Sequence, residues 1–183
     1  MNQLFHDIIK KFNFDGYKLI PANKIVVSQR VRIKCSFGCE NYGSGSCPPN
    51  VPTIAECREF FNEYSNAIII RILININQNS DNINKNRNDV DLTNVKLLEL
   101  EKEFFKAGYP FAFVFYHSNC SKKNIIEHKC DSRINCSHKS DCRPCPTSFG
   151  VDMYSTLKKN NIDIVALEPN SEYYYKYSIL LID

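Results

Sequence analysis

Apolar residues open the chain at Leu4, Phe5, Ile8, Ile9 and Phe12, separated by His6, Asp7, Lys10 and Lys11. That spacing marks one face of an amphipathic surface helix within residues 2–14. Pro21 starts a new segment. From Lys24 to Ile33 the apolar positions Ile25, Val26, Val27, Val31 and Ile33 predict one strand or two short ones. Pro48, Pro49 and Pro52 keep the next stretch extended and out of any helix. Thr53 and Glu56 then form a capping box. Ile54, Cys57, Phe61 and Tyr64 share a face of the helix it begins. Ala67 to Ile76 is rich in β-branched residues and predicts a mostly buried strand.

Residues 77–91 change character. Asn79, Asn82, Asn84, Asn86 and Asn88 leave too little apolar surface for a core. The stretch reads as a surface excursion with no function of its own. A helix from about Leu92 to Ala107 follows, with Leu97, Leu100 and Phe104 inward and Gly108 as its stop. Phe111 to Tyr116 is apolar throughout, the pattern of a strand covered on both faces. A helix over about 152–160, a strand over 162–167, a turn at Pro169-Asn170-Ser171 and a last strand alternating from Tyr173 to Leu181 complete the pattern. Strand and helix in alternation imply crossovers. The expected fold is α/β, a mixed, largely parallel sheet flanked by helices, with an antiparallel strand at the end. Length suits a single domain over residues 1–183.

Cysteine changes the picture. The chain has nine, in two groups: Cys35, Cys39, Cys47 and Cys57, then Cys120, Cys130, Cys136, Cys142 and Cys145. Both groups are expected in loops leaving the C-terminal ends of strands, the sheet edge where ligands usually sit. Thiolates gathered in two loops point to a soft metal. The odd count suits disulfides badly, and a chain of this size does not need them to fold. No secretory pattern is visible in the opening residues, and no apolar run is long enough to span a membrane. The expectation is a cytoplasmic protein without membrane contact. The net charge of +3 gives no strong argument for nucleic acid. Lys24, Arg30, Arg32 and Lys34 precede the first cysteine. They read either as a solvated rim or as compensation for an anionic cluster.

The first group reads C-x3-C-x7-C-x9-C, with Gly38, Gly43 and Gly45 free to wrap a cluster and to present backbone N–H groups to sulfur. Cys57 sits in the first turns of a helix and on its apolar face, so it reads as ligand or as core. The second group reads C-x9-C-x5-C-x5-C-x2-C-P. Its Cys145-Pro146 ending has the character of ferredoxin-type ligation. His117, His128 and His138 flank it, which keeps structural zinc open. Only Cys142 and Cys145 form the close pair that zinc sites favour, so the spacing suits iron–sulfur better.

Arg30-Val-Arg-Ile-Lys-Cys35, Gly38-Cys39, Tyr42-Gly43 and Cys47-Pro-Pro-Asn-Val-Pro-Thr53 together resemble an uncharacterised family of cysteine-rich, predicted metal-binding proteins of anaerobic archaea and bacteria. Leu98-Glu99, Gly108-Tyr109, Ala112, Cys120, Arg143-Pro144 and Gly150-Val151-Asp152 extend the likeness over roughly residues 24–168. The resemblance implies a cytoplasmic protein with iron–sulfur clusters, and no particular reaction. Cys120 and Cys136 keep family positions, whereas Cys142 and Cys145 depart from the pattern.

The expected metal ligands are therefore the nine cysteines, Cys35, Cys39, Cys47, Cys57, Cys120, Cys130, Cys136, Cys142 and Cys145. They would hold two [4Fe–4S] clusters in electron transfer or redox chemistry, with a redox partner protein or a small-molecule substrate. A reductive or sulfur-handling enzyme with an open cluster site is one alternative. A structural zinc-binding interaction module is another.

Overall fold

The computed structural model describes residues 3–75, 83–118, 136, 138–165 and 171–183, with backbone alone over 83–91. Five helices and four strands follow in the order α1 (Gln3–Lys10), β1 (Gly16–Pro21), α2 (Gln29–Gly38), α3 (Ile54–Asn62), β2 (Asn66–Asn75), α4 (Ile83–Lys106), β3 (Phe113–Val114), α5 (Met153–Lys159) and β4 (Tyr173–Ile182). The strands form one sheet in the order β1-β2-β4-β3. Among the described residues no helix is long and apolar enough to cross a membrane.

Every pairing is antiparallel, which corrects the expectation of a largely parallel sheet. Gly16 to Pro21 pair with Arg71 to Asn66, Asn66 to Asn75 with Ile182 to Tyr173, and Phe113 and Val114 with Leu181 and Leu180. The expectation rested on continuous apolar runs, which record burial on both faces and not strand direction. Here an antiparallel sheet is covered on both sides. On one face Ile68, Ile70, Ile72, Leu180 and Ile182 pack with Phe5, Ile8 and Ile9 of α1 and Leu97, Leu100 and Phe104 of α4. On the other, Ala67, Ile69, Ile179 and Leu181 pack with Cys57 and Phe61 of α3, Leu157 of α5, and Val51, Phe149 and Val151. The two sets alternate along β2 and β4, as a pleated strand requires.

Other element assignments also change. The helix expected from about Leu92 begins at Ile83, as α4. Residues 24–33 were expected as one strand or two short ones, but from Gln29 onward they belong to α2, which buries none of its residues. Their charged–apolar alternation imitates a strand, but no sheet edge receives them. The only strand-like trace of this segment is a bridge from Val27 to Val151. The first cysteine loop therefore leaves a helix and not a strand end. β1, at Gly16–Pro21, takes the sheet edge instead. Ile162 to Val165 form no strand, and residues 166–170 lie outside the described residues. The capping box at Thr53 is present as expected. The Thr53 side chain accepts from the Glu56 N–H, and Glu56 accepts from the Thr53 N–H at 2.7 Å.

Gly150 joins the elements around the cysteines. Its φ of +75° lies in the left-handed region. Its carbonyl accepts from the Ser28 N–H at 2.8 Å, and the Asp152 N–H donates to the Val26 carbonyl at 2.8 Å. A Cβ on Gly150 would fall 2.3 Å from Ile54 Cδ1 and 3.4 Å from the Ser28 oxygen. Gly150→Ala should lower the unfolding free energy by about 1–3 kcal/mol, from strain and displacement of Ile54 together. Urea unfolding followed by circular dichroism checks this. A variant as stable as the parent would mean that this corner relaxes freely.

Candidate metal centre

Cys35 lies in the last turn of α2 and Cys39 just after it. Cys47 is held by a compact loop. Its N–H donates to the Ser44 carbonyl at 2.9 Å, and Gly43, with φ +87°, donates to the Pro48 carbonyl at 2.7 Å. Asn50 Nδ2 clamps the turn through the Gly43 and Ser44 carbonyls at 2.9 and 3.3 Å. Cys47 is left buried.

The second cysteine loop meets this one at Cys145. A 3-10 turn, Pro146–Phe149, follows Cys145, and Phe149 anchors it by packing edge-on against Phe115 with ring centroids 5.2 Å apart. Thr147 of that turn touches both sides. Its carbonyl lies 3.7 Å from Cys35 Sγ, and its Oγ1 lies 3.1 Å from Cys145 Sγ. Cys39 and Cys145 both act electrostatically on Cys35 and Cys47. Burial first, then Cys145, Cys39 and Cys35, push the Cys47 thiol up to about 12. Burial, Cys145 and Cys39 likewise raise Cys35, against the opposing pull of Arg32 and of a hydrogen bond to Thr147.

The structure thus divides the cysteines differently from the order in the chain. Cys145 joins the first group in space. Cys57 does not. It is fully buried in the core facing α3 and α5, with its Sγ 3.6 Å from the Pro52 carbonyl and 3.8 Å from an Arg32 guanidinium nitrogen. Cys136 and Cys142 are half-buried in the second loop, and the His138 N–H donates to Cys136 Sγ at 3.4 Å. Cys120, Cys130 and His128 lie outside the described residues. Every described cysteine is a free thiol. Among the described residues, no three His, Cys, Asp or Glu side chains are arranged to hold a single metal ion. The donors nevertheless fit a soft metal, because a bound cation reverses the thiol–thiol repulsion and draws off their protons.

An ion pair fixes the second loop to the scaffold. Arg143 donates from Nε to Glu101 Oε2 at 2.9 Å and from its terminal nitrogen to Glu101 Oε1. Glu101 Oε2 also accepts the Val114 N–H at 2.7 Å, so one carboxylate ties α4, β3 and the loop. The Tyr116 N–H donates to the Pro144 carbonyl at 2.9 Å, and its hydroxyl to the Asp141 carbonyl at 2.6 Å.

Sequence reading missed two cations near the thiols in these specific roles. Arg32 donates to the Pro52 carbonyl at 2.9 Å and acts electrostatically on both Cys35 and Cys57. Lys176 of β4 is half-buried and within electrostatic reach of Cys145. Burial pulls its pKa down while Cys145 pulls it up. Arg32 carried a signal as one of the basic residues before the first cysteine. Lys176 carried none, because it sits in what reads as an ordinary alternating strand.

His117 is placed as a buried scaffold residue. Its Nδ1 pairs with Asn94 Oδ1 at 2.9 Å, and its Nε2 is buried with no partner among the described residues. Burial, then the charge of Lys176, pushes its pKa down to about 3. The unfolded chain therefore takes up a proton on this ring near 6.5 that the fold refuses until about 3. Stability is complete above that window and is lost as pH falls through it. Between pH 6 and 5 the unfolding free energy should fall by up to about 1.4 kcal/mol from this group. His117→Gln should flatten that slope in urea titrations at each pH. An unchanged slope would show that His117 takes up its proton as readily in the fold as in the unfolded chain.

No curated protein matched the chain. No solved structure matched it. A family model did match, over residues 18–182, nearly the whole chain. The chain belongs to the family described as predicted metal-binding protein (DUF2284).

Proposed function

We propose that this is an iron–sulfur protein with two [4Fe–4S] clusters that works in electron transfer or redox chemistry. The observation that carries the reading is the meeting of Cys35, Cys39 and Cys47 with Cys145 from the other loop. These four would hold the first cluster. By count, Cys120, Cys130, Cys136 and Cys142 remain for the second, and Cys57 is a core residue. The odd total of nine then has a simple origin.

Two further features support this division. In two-cluster ferredoxins, the cysteine that precedes proline ligates the other cluster from its neighbours in the run. Cys145-Pro146 follows that logic, parting from nearby Cys142 to join the first loop. The spacing of the cysteines along the chain, with only Cys142 and Cys145 as a close pair, also suits iron–sulfur better than the paired ligands of structural zinc.

A bound cluster would supply one-electron chemistry at a potential set by charge, burial and hydrogen bonds to sulfur. The chain's own residues act on those terms. Arg32 and Lys176 place positive charge beside Cys35 and Cys145. Thr147 offers its hydroxyl to the Cys145 sulfur. The buried wall of Val51, Phe149 and Val151 limits water on the side of the sheet. A reducing cytoplasmic setting, with a redox protein or a small molecule as partner, goes with free thiols of this kind.

Anaerobically purified protein should be brown, with about eight iron and eight sulfide per chain. Colourless protein with about two zinc would overturn the reading. Cys145→Ser should remove the same half of the iron as Cys39→Ser or Cys47→Ser, seen by spin resonance of the reduced protein. Cys57→Ala should leave both signals intact and cost only core packing. If Cys145→Ser instead abolishes the other signal, the thiols divide by chain order and not by the grouping proposed here.

A further inference from the structure

A cleft of about 630 Å³ opens between α2 and the start of α5. Cys35 and Cys39 line it, whereas Cys47 and Cys145 do not, so it lies beside the four-thiol group and not within it. We propose that this cleft binds a small organic anion, a carboxylate or phosphate ester with an apolar body, seated against the Cys35 and Cys39 side of the metal centre. The proposal rests on the cluster reading above only for that last clause.

Charge and shape carry it. Arg30 and Lys34 stand one helical turn apart on α2 and face the same space. Arg30 pairs with Asp152 at 2.5 Å, and that carboxylate is already engaged by the Ser155 N–H and hydroxyl at 3.0 and 2.9 Å. Although burial opposes it, these partners hold Asp152 below the ordinary carboxylate range. The cleft lining thus holds two cations and one carboxylate. Lys34 makes no ion pair among the described residues, which leaves a net positive charge at the mouth.

The rest of the lining is apolar. Val31, Val151 and Met153 face the cleft, and Tyr154 stands beside it with 62% of its surface exposed. An exposed aromatic face there suits a flat or branched apolar group. Gly38 also lines the cleft, and a Cβ built on it would meet nothing within 4 Å. Access to the Cys39 end is therefore open. A cationic rim, an apolar wall and two candidate metal ligands together match an anionic substrate that takes or gives electrons at the cluster.

Calorimetry on the anaerobically purified full chain tests this with three probes: benzoate, phenyl phosphate and the neutral isostere benzamide. Benzoate or phenyl phosphate should bind at about millimolar affinity, benzamide at least about tenfold more weakly, and the tighter anion identifies the head group. Lys34→Glu should weaken the anion about tenfold without change in iron or sulfide content. Gly38→Leu should block it by filling the cleft. In the loaded protein the anion should shift the spin-resonance signal that Cys145→Ser removes. Equal binding of benzamide, no binding of either anion, or full affinity in Lys34→Glu would overturn the site, whatever the metal content. Lys34-dependent binding by a protein without iron would keep the anion site and overturn its place beside a cluster. Iron-loaded protein with no anion binding would leave the cluster reading intact and sink this one.

Discussion

Two backbone hydrogen bonds, Ser28 to Gly150 and Val26 to Asp152, hold the entry of α2 against the segment that carries Cys145. They join residues more than a hundred positions apart. They hold the turn after Cys145 beside the end of α2 that carries Cys35. Their geometry depends on Gly150, whose left-handed φ turns the chain out of the 3-10 turn and whose missing Cβ leaves room for Ile54. Phe149 and Val151, either side of that glycine, are buried in the sheet-facing core, so the contact is anchored by apolar packing and not by hydrogen bonds alone.

The scaffold beneath is a sheet covered on both faces, and the two covers differ in kind. α1 and α4 make a conventional helical layer with Phe5, Leu97, Leu100 and Phe104 against the strands. The opposite layer is built from short pieces: α3, α5, the turn after Cys145 and the loop at Val51. Short elements leave many backbone groups to be satisfied locally. The side chains of Asn50, Ser148 and Arg143, donating to backbone carbonyls, serve that purpose. The candidate metal centre sits in this irregular layer, where thiols can be presented from loops while the sheet behind them stays rigid.

Electrostatics and topology are coupled here. Partial burial and the neighbouring thiols raise the pKa of Cys35 and push that of Cys47 up to about 12. Such thiols oppose their own ionisation until a cation arrives. Arg32 of α2 pulls Cys35 the other way, and Lys176 of the central sheet lies within electrostatic reach of Cys145. The cleft next to Cys35 and Cys39 continues the positive rim outward through Arg30 and Lys34.

Much of the local structure could be read directly from the residues. The capping box at Thr53, the apolar run of β2 and the alternation of β4 depend on neighbours within a few positions, and these elements form where the pattern places them. The nine cysteines likewise point to metal binding, in line with the family to which the chain belongs. Strand direction was not legible, because burial on both faces leaves the same apolar run in parallel and antiparallel sheets. Nor was α2, whose charged–apolar alternation from Arg30 to Cys35 has the period of a strand although the segment is a helix outside the sheet. The grouping of the thiols was the last to be decided. Proximity along the chain placed Cys57 with its neighbours and Cys145 with Cys142. In the fold Cys57 lies in the core on α3, and the pairing of residues 26–28 with 150–152 holds the segment of Cys145 beside Cys35, a proximity that no local spacing encodes.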